Sequence, residues 1–207
     1  MEKKYFINIG RQLGSGGKLI GQLLAKELHI PIYDRTLIDM AAQESGLCKE
    51  VFEDKDEETG LLSKLFNIHM PFMNTSFYGN QLSDEALFKI QSDVIRSLAE
   101  NQSCLFVGRC ADYILREHPA TINLFFTADN EERIRRITSR LGCSATEAEA
   151  KMEEMDRQRA RYYNYYASRT WGEAATYDLT INTSRLGEEG TVDLLIDFIN
   201  KRMKIND

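Results

Sequence analysis

Tyr5-Phe6-Ile7-Asn8-Ile9-Gly10-Arg11-Gln12-Leu13-Gly14-Ser15-Gly16-Gly17-Lys18-Leu19-Ile20 is the stretch on which the fold turns. Tyr5 to Ile9 reads as a short buried strand. Four glycines follow within Gly10 to Gly17. Lys18 to His29 then shows helical periodicity, with Leu19, Ile20, Leu23, Leu24 and Leu28 on one side. A strand, a glycine-rich turn and a helix form an arrangement that holds phosphate. Backbone N–H groups in the turn converge on the anion, and the helix N-terminus adds partial positive charge. Glycine is needed where the backbone takes positive φ or where oxygen atoms approach closely.

The turn departs from the strict pattern GxxxxGK[ST]. Gly17 stands where the lysine belongs and Lys18 where the Ser or Thr belongs, and Gly10 and Gly16 are one residue too far apart. A replacement cation is therefore required, and Arg11 and Lys18 are the two candidates, each with the plain alternative of a solvated side chain. Ser15 either reaches a magnesium ion or satisfies the turn itself.

Outward from the turn, strands and helices alternate. Pro31 is expected to end the first helix, Ile32-Tyr33 to form a second strand, and Asp34 to cap a helix starting near Thr36. From about Lys49 to Leu82 the pattern weakens, with helical pieces over Leu61 to Ile68, a break at Pro71 and a turn at Gly79-Asn80. Ser83 opens a long helix to about Glu100. Cys104 to Val107 is a strand and Gly108 to Leu115 turns into a helix. Thr121 to Phe126 is a strand, and Asn130 to Leu141 a helix. Ser144-Ala145-Thr146-Glu147 is a capping box opening a long polar helix past Tyr163. Asp178 to Ile181 and Glu188 to Lys201 give the last strand and helix. Short continuous apolar strands between helices belong to a parallel sheet covered on both faces.

The 207 residues carry 43% hydrophobic and 28% charged residues, enough for a real core. Net charge is −6, which disfavours wrapping nucleic acid. No run approaches the roughly 20 apolar residues that span a bilayer, and the N-terminus lacks a cleavable leader pattern, so a cytoplasmic protein without membrane partners is expected. The cysteines Cys48, Cys104, Cys110 and Cys143 have no CxxC spacing and read as reduced thiols. His29, His69 and His118 stand alone, and the acidic stretch Glu50 to Glu58 reads as a solvated helix face.

Arginines are concentrated. Arg157 and Arg161, four apart, share a helix face. Either they swing over phosphates or they form a solvated face with Glu153 and Asp156. Arg133 and Arg136 make a similar pair nearer the sheet. Tyr162-Tyr163-Asn164-Tyr165-Tyr166 with Trp171 either stacks on a base or packs against the core, and packing is the commoner use of such residues.

Several of these blocks carry a resemblance. They are Gly10 to Gly21, Ile30-Pro31-Ile32-Tyr33-Asp34-Arg35, Val107-Gly108-Arg109-Cys110-Ala111-Asp112-Tyr113-Ile114-Leu115, Arg161-Tyr162-Tyr163, Trp171, Tyr177-Asp178-Leu179 and Ile181-Asn182-Thr183-Ser184. In that order, and over nearly the whole chain, they resemble the cytidylate kinase-like family of P-loop nucleoside-monophosphate kinases, which shares the shifted turn. The resemblance implies a three-layer α/β/α fold with a five-stranded parallel sheet. It implies a single kinase-like domain with a core of 1–48, 83–130 and 175–207, a monophosphate-binding region over about 49–82 and a lid over about 131–174. The implied reaction is transfer of the γ-phosphoryl of ATP, with Mg2+, to a nucleoside monophosphate such as CMP or dCMP.

Gly10, Gly14, Ser15, Gly16, Gly17, Lys18 and Leu19 are then expected at ATP, and Ser15 and Asp34 at the metal. Arg11, Lys18, Arg109, Arg157 and Arg161 are the cations expected to serve catalysis. Asp34, Arg35, Arg109 and Asp112 are expected at the acceptor. Two positions depart from bona fide cytidylate kinases. Cys110 follows Arg109 where they have aspartate, with Asp112 two positions on, and Met40 stands where they have a phosphate-gripping arginine, a task left to Arg35. Two other readings stay open: a P-loop kinase of another small acceptor, and a nucleotide-binding regulatory protein with little turnover.

Overall fold

The computed structural model describes residues 4–44 and 84–205. In chain order the elements are β1 (Phe6–Arg11), α1 (Gly17–Glu27), β2 (Ile32–Tyr33), α2 (Arg35–Glu44), α3 (Asp84–Asn101), β3 (Cys104–Val107), α4 (Ala111–Ile114), β4 (Thr121–Thr127), α5 (Asn130–Leu141), α6 (Ala145–Ala167), β5 (Leu179–Asn182) and α7 (Gly187–Ile205). The helical pieces, proline break and turn expected between Lys49 and Leu82, and Cys48, lie outside the described residues. No helix among the described residues is long and apolar enough to cross a membrane.

The five strands form one parallel sheet in the order β2-β3-β1-β4-β5. The fold is the three-layer α/β/α arrangement expected. Because side chains alternate across a strand, Ile7 and Ile9 of β1 share one face with Leu105, Val107, Leu124 and Phe126, and there they meet Ile20 and Leu24 of α1 and Leu195 and Ile199 of α7. The opposite face presents Asn8, whose buried side chain donates to Asn123 of β4 at 2.9 Å.

The chain divides into two compact units, Met1–Arg35 with Ile95–Asp207, and Thr36–Val94. The first holds the sheet. In the second, the buried Gln91 side chain donates to Asp39 at 2.7 Å, joining α2 to α3.

Two boundaries differ from the sequence reading. α1 ends before Pro31 comes into play: His29 takes a left-handed conformation (φ 54°), with its N–H on the Lys26 carbonyl and the Ile30 N–H on that of Ala25. This pair of bonds is a helix stop in its own right. The helix expected over Gly108 to Leu115 shrinks to one turn, because Gly108, Arg109 and Cys110 are all left-handed (φ 81°, 57° and 55°).

α1 lies close on the sheet because Gly21 has no side chain; a Cβ there meets Ile9 Cδ1 at 3.1 Å. Gly21→Ala is expected to be nearly neutral, since a flexible Ile terminus yields. Gly21→Val overpacks the same spot and is expected to cost roughly 1–3 kcal/mol, read as a lower denaturant midpoint at unchanged slope.

Candidate functional site: the glycine-rich turn and its arginines

The turn joins β1 to α1 at the C-terminal edge of the sheet, where open α/β sheets bind ligands. Its carbonyl oxygens are held from outside. Arg159 of α6 donates to the Arg11 carbonyl at 2.8 Å, and Arg133 of α5 donates through Nε to the Leu13 carbonyl at 2.7 Å. Arg136 reaches the Gly14 carbonyl at 3.4 Å, and Thr183 donates to that of Ser15 at 2.7 Å. In a trans peptide the carbonyl and the next N–H point in opposite directions. Anchoring the Leu13 and Ser15 carbonyls outward therefore turns the Gly14 and Gly16 N–H groups into the concavity. Gly17, Lys18 and Leu19 add N–H groups at the start of α1, which have no acceptor within their own helix.

Two turn residues must be glycine. Gly14 is left-handed (φ 80°), and a Cβ on it meets the Arg133 backbone at 2.8 Å; at Gly17 a Cβ falls 2.9 Å from Phe126. Ser15 is fully buried and its hydroxyl donates to the Gln12 carbonyl at 2.9 Å. The structure thus places Ser15 within the turn's own bonding.

Of the two candidate cations, Lys18 is 62% exposed and its ammonium sits on Asp34 at 2.8 Å. Arg11 is set deep among protein atoms although part of its surface is open. Its guanidinium lies against Gly108, where a Cβ would meet Nη1 at 2.3 Å. Burial, then repulsion from Arg159 and Arg109, lowers the Arg11 pKa to about 9, with Asp34 and Asp156 opposing. Arg159 is likewise lowered to about 10, chiefly by burial. Arg109 leaves β3 in its left-handed turn and lies over the Tyr162 ring at 5.2 Å. Left-handed backbone costs a non-glycine residue roughly 1–2 kcal/mol, so this turn is a strained one.

The structure brings Arg11, Arg109, Asp34 and the turn together. Arg35 is exposed at the start of α2. Asp112 is buried and accepts from the Tyr163 hydroxyl at 2.5 Å. Burial pushes its carboxyl up, and the Tyr163 bond partly restores it. Arg157 and Arg161 stay on the outer face of α6, where Arg157 pairs with Glu154 at 3.1 Å and Glu153 at 3.4 Å. The residues that do meet the turn are Asp156, Arg159, Arg133, Arg136 and Thr183. Arg133 and Arg136 are the pair expected nearer the sheet; for Asp156 and Arg159 the signal was the stripe Ala148, Met152, Tyr163 and Ala167, which continues through Arg159 at helical spacing. Part of the aromatic run packs: Tyr163 is buried, Tyr162 contacts Tyr166 at 4.8 Å, and Trp171 meets Phe125 edge-on at 5.2 Å, while Tyr165 is exposed.

The sequence profile of the cytidylate kinase-like family matches residues 6–185. A cytidylate kinase of Halobacterium salinarum is 26% identical over 125 residues, covering 58% of this chain and 64% of that protein, so the match spans a little under two thirds of the relative's length. The crystal structure of an uncharacterized protein from Eubacterium ventriosum superposes with a TM-score of 0.73 at 28% identity, covering 95% of this chain and 99% of that one. Shikimate kinase from Bacteroides thetaiotaomicron, at 13% identity and a TM-score of 0.52 over 95% of this chain and 98% of its own, shares the fold.

Tyr163→Phe removes the donor from a buried carboxylate, a loss of roughly 1.5–3 kcal/mol. Asp112 already has a raised carboxyl pKa, and the variant raises it further. A raised folded-state pKa lowers stability as pH rises through it. The deficit against wild type is therefore expected to be largest at neutral and alkaline pH and to shrink as pH falls toward the carboxylate range. Chemical denaturation of both proteins across that range checks it.

Proposed function

The chain belongs to the cytidylate kinase-like family, and on that premise we propose that it transfers the γ-phosphoryl group of ATP to a nucleoside monophosphate, with CMP and dCMP the first acceptors to test. The observation that carries this reading is the gathering of Arg11, Arg109 and Arg159 beside a turn with inward N–H groups. Mutual repulsion within such a cluster is relieved by a polyanion, and the phosphates of a nucleotide supply one.

In this reading Gly14, Gly16, Gly17, Lys18 and Leu19 cradle phosphate oxygens through their N–H groups, with Gly10 fixing the end of β1. Arg11 stands in for the missing lysine; its planar, always-forked guanidinium suits two phosphate oxygens at once. Arg109 holds the acceptor phosphate, oriented by the face of Tyr162. Asp34 is the carboxylate beside the turn. Magnesium in kinases takes one or two carboxylates plus substrate phosphates, so Asp34 fits as its protein ligand, with Lys18 moving between Asp34 and the phosphates. The ion, when bound, neutralises charge on the phosphate oxygens. Ser15 serves the turn rather than the metal, and Asp112 acts on the acceptor side through its tie to Tyr163. Arg35 remains the first candidate to replace the arginine absent at Met40. In this reading about 131–174 is the covering segment, and its helices α5 and α6 bond to the turn.

A second reading, a different small acceptor, is favoured by Cys110 and Met40 standing where cytidylate kinases have an aspartate and an arginine.

ADP release from ATP and magnesium, measured across a panel of nucleoside monophosphates with wild type and Arg109→Ala, tests the proposal. Turnover is expected with one or two pyrimidine acceptors and a loss of at least about a hundredfold in the variant. No turnover with any acceptor, in protein that still binds ATP, sinks the nucleoside-monophosphate reading and leaves a non-nucleotide acceptor or a regulatory role. The pH dependence gives a separate check. Bound phosphate raises the Arg11 pKa from about 9, so ATP affinity is expected to fall progressively above about pH 9. Arg11→Met is expected to bind ATP weakly at pH 8 and to show no such decline through pH 9.

A further inference from the structure

The glycine-rich turn is one residue longer between Gly10 and Gly16 than the GxxxxG spacing. A longer turn of small residues has more shapes to choose from and needs more anchoring. At Leu13 both halves of the backbone are taken. Its N–H donates to Asp156 Oδ1 at 2.8 Å, and its carbonyl accepts from Arg133 Nε at 2.7 Å. Asp156 Oδ2 and Arg133 Nη2 then pair with each other, closing a ring of three residues from the turn, α5 and α6. Arg133 is only 4% exposed. The α5 backbone at the same residue is pressed against Gly14, where a Cβ meets the Arg133 carbonyl oxygen at 2.8 Å.

Burying an ion pair gains little net stability, because desolvation offsets the attraction. A nearly inaccessible arginine that bonds both to the turn and to the aspartate holding the same peptide is better explained by geometry. With the Leu13 carbonyl drawn to Arg133, the Gly14 N–H must face the concavity. With the Leu13 N–H drawn to Asp156, the extra residue is held out of that concavity.

We propose that Asp156 and Arg133 are positioning residues for nucleotide phosphate: together they fix the Leu13 peptide and so set the shape of the lengthened turn. The proposal rests on the nucleotide-binding reading above. Asp156 is not itself a phosphate ligand, and its charge is answered by Arg133 on one side and Arg159 on the other.

The test titrates wild type, Asp156→Ala and Asp156→Asn with magnesium-ATP at pH 7.5 and reads amide hydrogen exchange at Leu13 and Gln12 in each. In Asp156→Ala, Leu13 is expected to exchange at least about tenfold faster and the ATP Kd to rise about ten- to a hundredfold. Asp156→Asn keeps an acceptor for the Leu13 N–H but not the ion pair, and is expected to lie between. Gln12, whose N–H goes to the Phe126 carbonyl in the sheet, keeps its protection in all three. Faster exchange at Leu13 with unchanged ATP affinity overturns the proposal, and so does unchanged exchange at Leu13. Loss of protection at Gln12 as well reports general unfolding and also counts against a local positioning role. If Asp156→Ala does not fold, Asp156→Asn and Arg133→Lys carry the comparison with the same expectations. A wild-type protein that takes up no ATP instead overturns the nucleotide-binding reading itself.

Discussion

The direction of a few peptide planes in the glycine-rich turn is the constraint on which the rest of the site depends. A turn with glycine at positions 10, 14, 16 and 17 has almost no side chains with which to hold itself. Its shape must come from outside, through its carbonyl oxygens. The donors are Arg133, Arg136, Arg159 and Thr183, all more than a hundred residues away in sequence and all delivered by the parallel sheet. β4 pairs with β1 from Phe6 to Arg11, and β5 pairs with β4. That registry brings the start of α5 and the end of β5 alongside the turn. The apolar core on the α1 and α7 face and the polar shell around the turn are thus two results of one strand order. The glycines have a second use here: without Cβ atoms at Gly14 and Gly17, the α5 backbone and Phe126 come close enough to make the shell continuous.

Charge and strain accumulate at the same place. Arg11 and Arg159 lie close to one another, Arg11 also lies near Arg109 and Arg159 near Arg133, while Asp34 and Asp156 oppose the repulsion at Arg11 and Lys18 also draws on Asp34. The Arg11 pKa is lowered first by burial and then by repulsion from Arg159 and Arg109. Beside it, three successive left-handed residues leave β3. Neither feature helps the protein fold, and both are sustained by the sheet core, where Ile7, Leu24, Leu105, Leu124 and Leu195 are fully buried. Such sites, where positive charge and backbone strain are held against their own preference, are where a ligand gains most by binding.

The sheet and most helices were legible in the sequence because apolar period and turn chemistry agree there. Asn130–Leu141 and the Ser144 capping box are found as expected. The glycines marked the turn's backbone correctly: Gly14 and Gly16 are left-handed and Gly17 is closely approached. The shell was not. Contacts spanning more than a hundred residues leave no local signal, and on α6 the arginine spacing of four pointed to Arg157 and Arg161, on the outer face. The inner face carries Asp156 and Arg159, against the default that charged residues face water. Only the stripe of Ala148, Met152, Tyr163 and Ala167 marks that face as inward. The helix at α4 was expected too long for a different reason: nothing in Gly108-Arg109-Cys110 announces left-handed backbone beyond the glycine.

One helix sets the geometry between the two halves of the site. Asp156 and Arg159 of α6 hold the glycine-rich turn, while Tyr162 underlies Arg109 and Tyr163 ties Asp112 in the turn after β3. Seven residues of α-helix separate the first of these contacts from the last, about 10 Å of rise. A helix bonded along its length cannot stretch or shorten over that span, whereas the two turns it touches are short irregular segments. The distance between the glycine-rich turn and Arg109 is therefore fixed by α6 more firmly than by either turn. Phosphoryl transfer depends on holding donor and acceptor in line to within a fraction of an ångström. In the proposed reaction a rigid helix seated on both turns at once meets that requirement, and it accounts for why α6 carries polar residues on the face that a helix of this length would ordinarily fill with apolar ones.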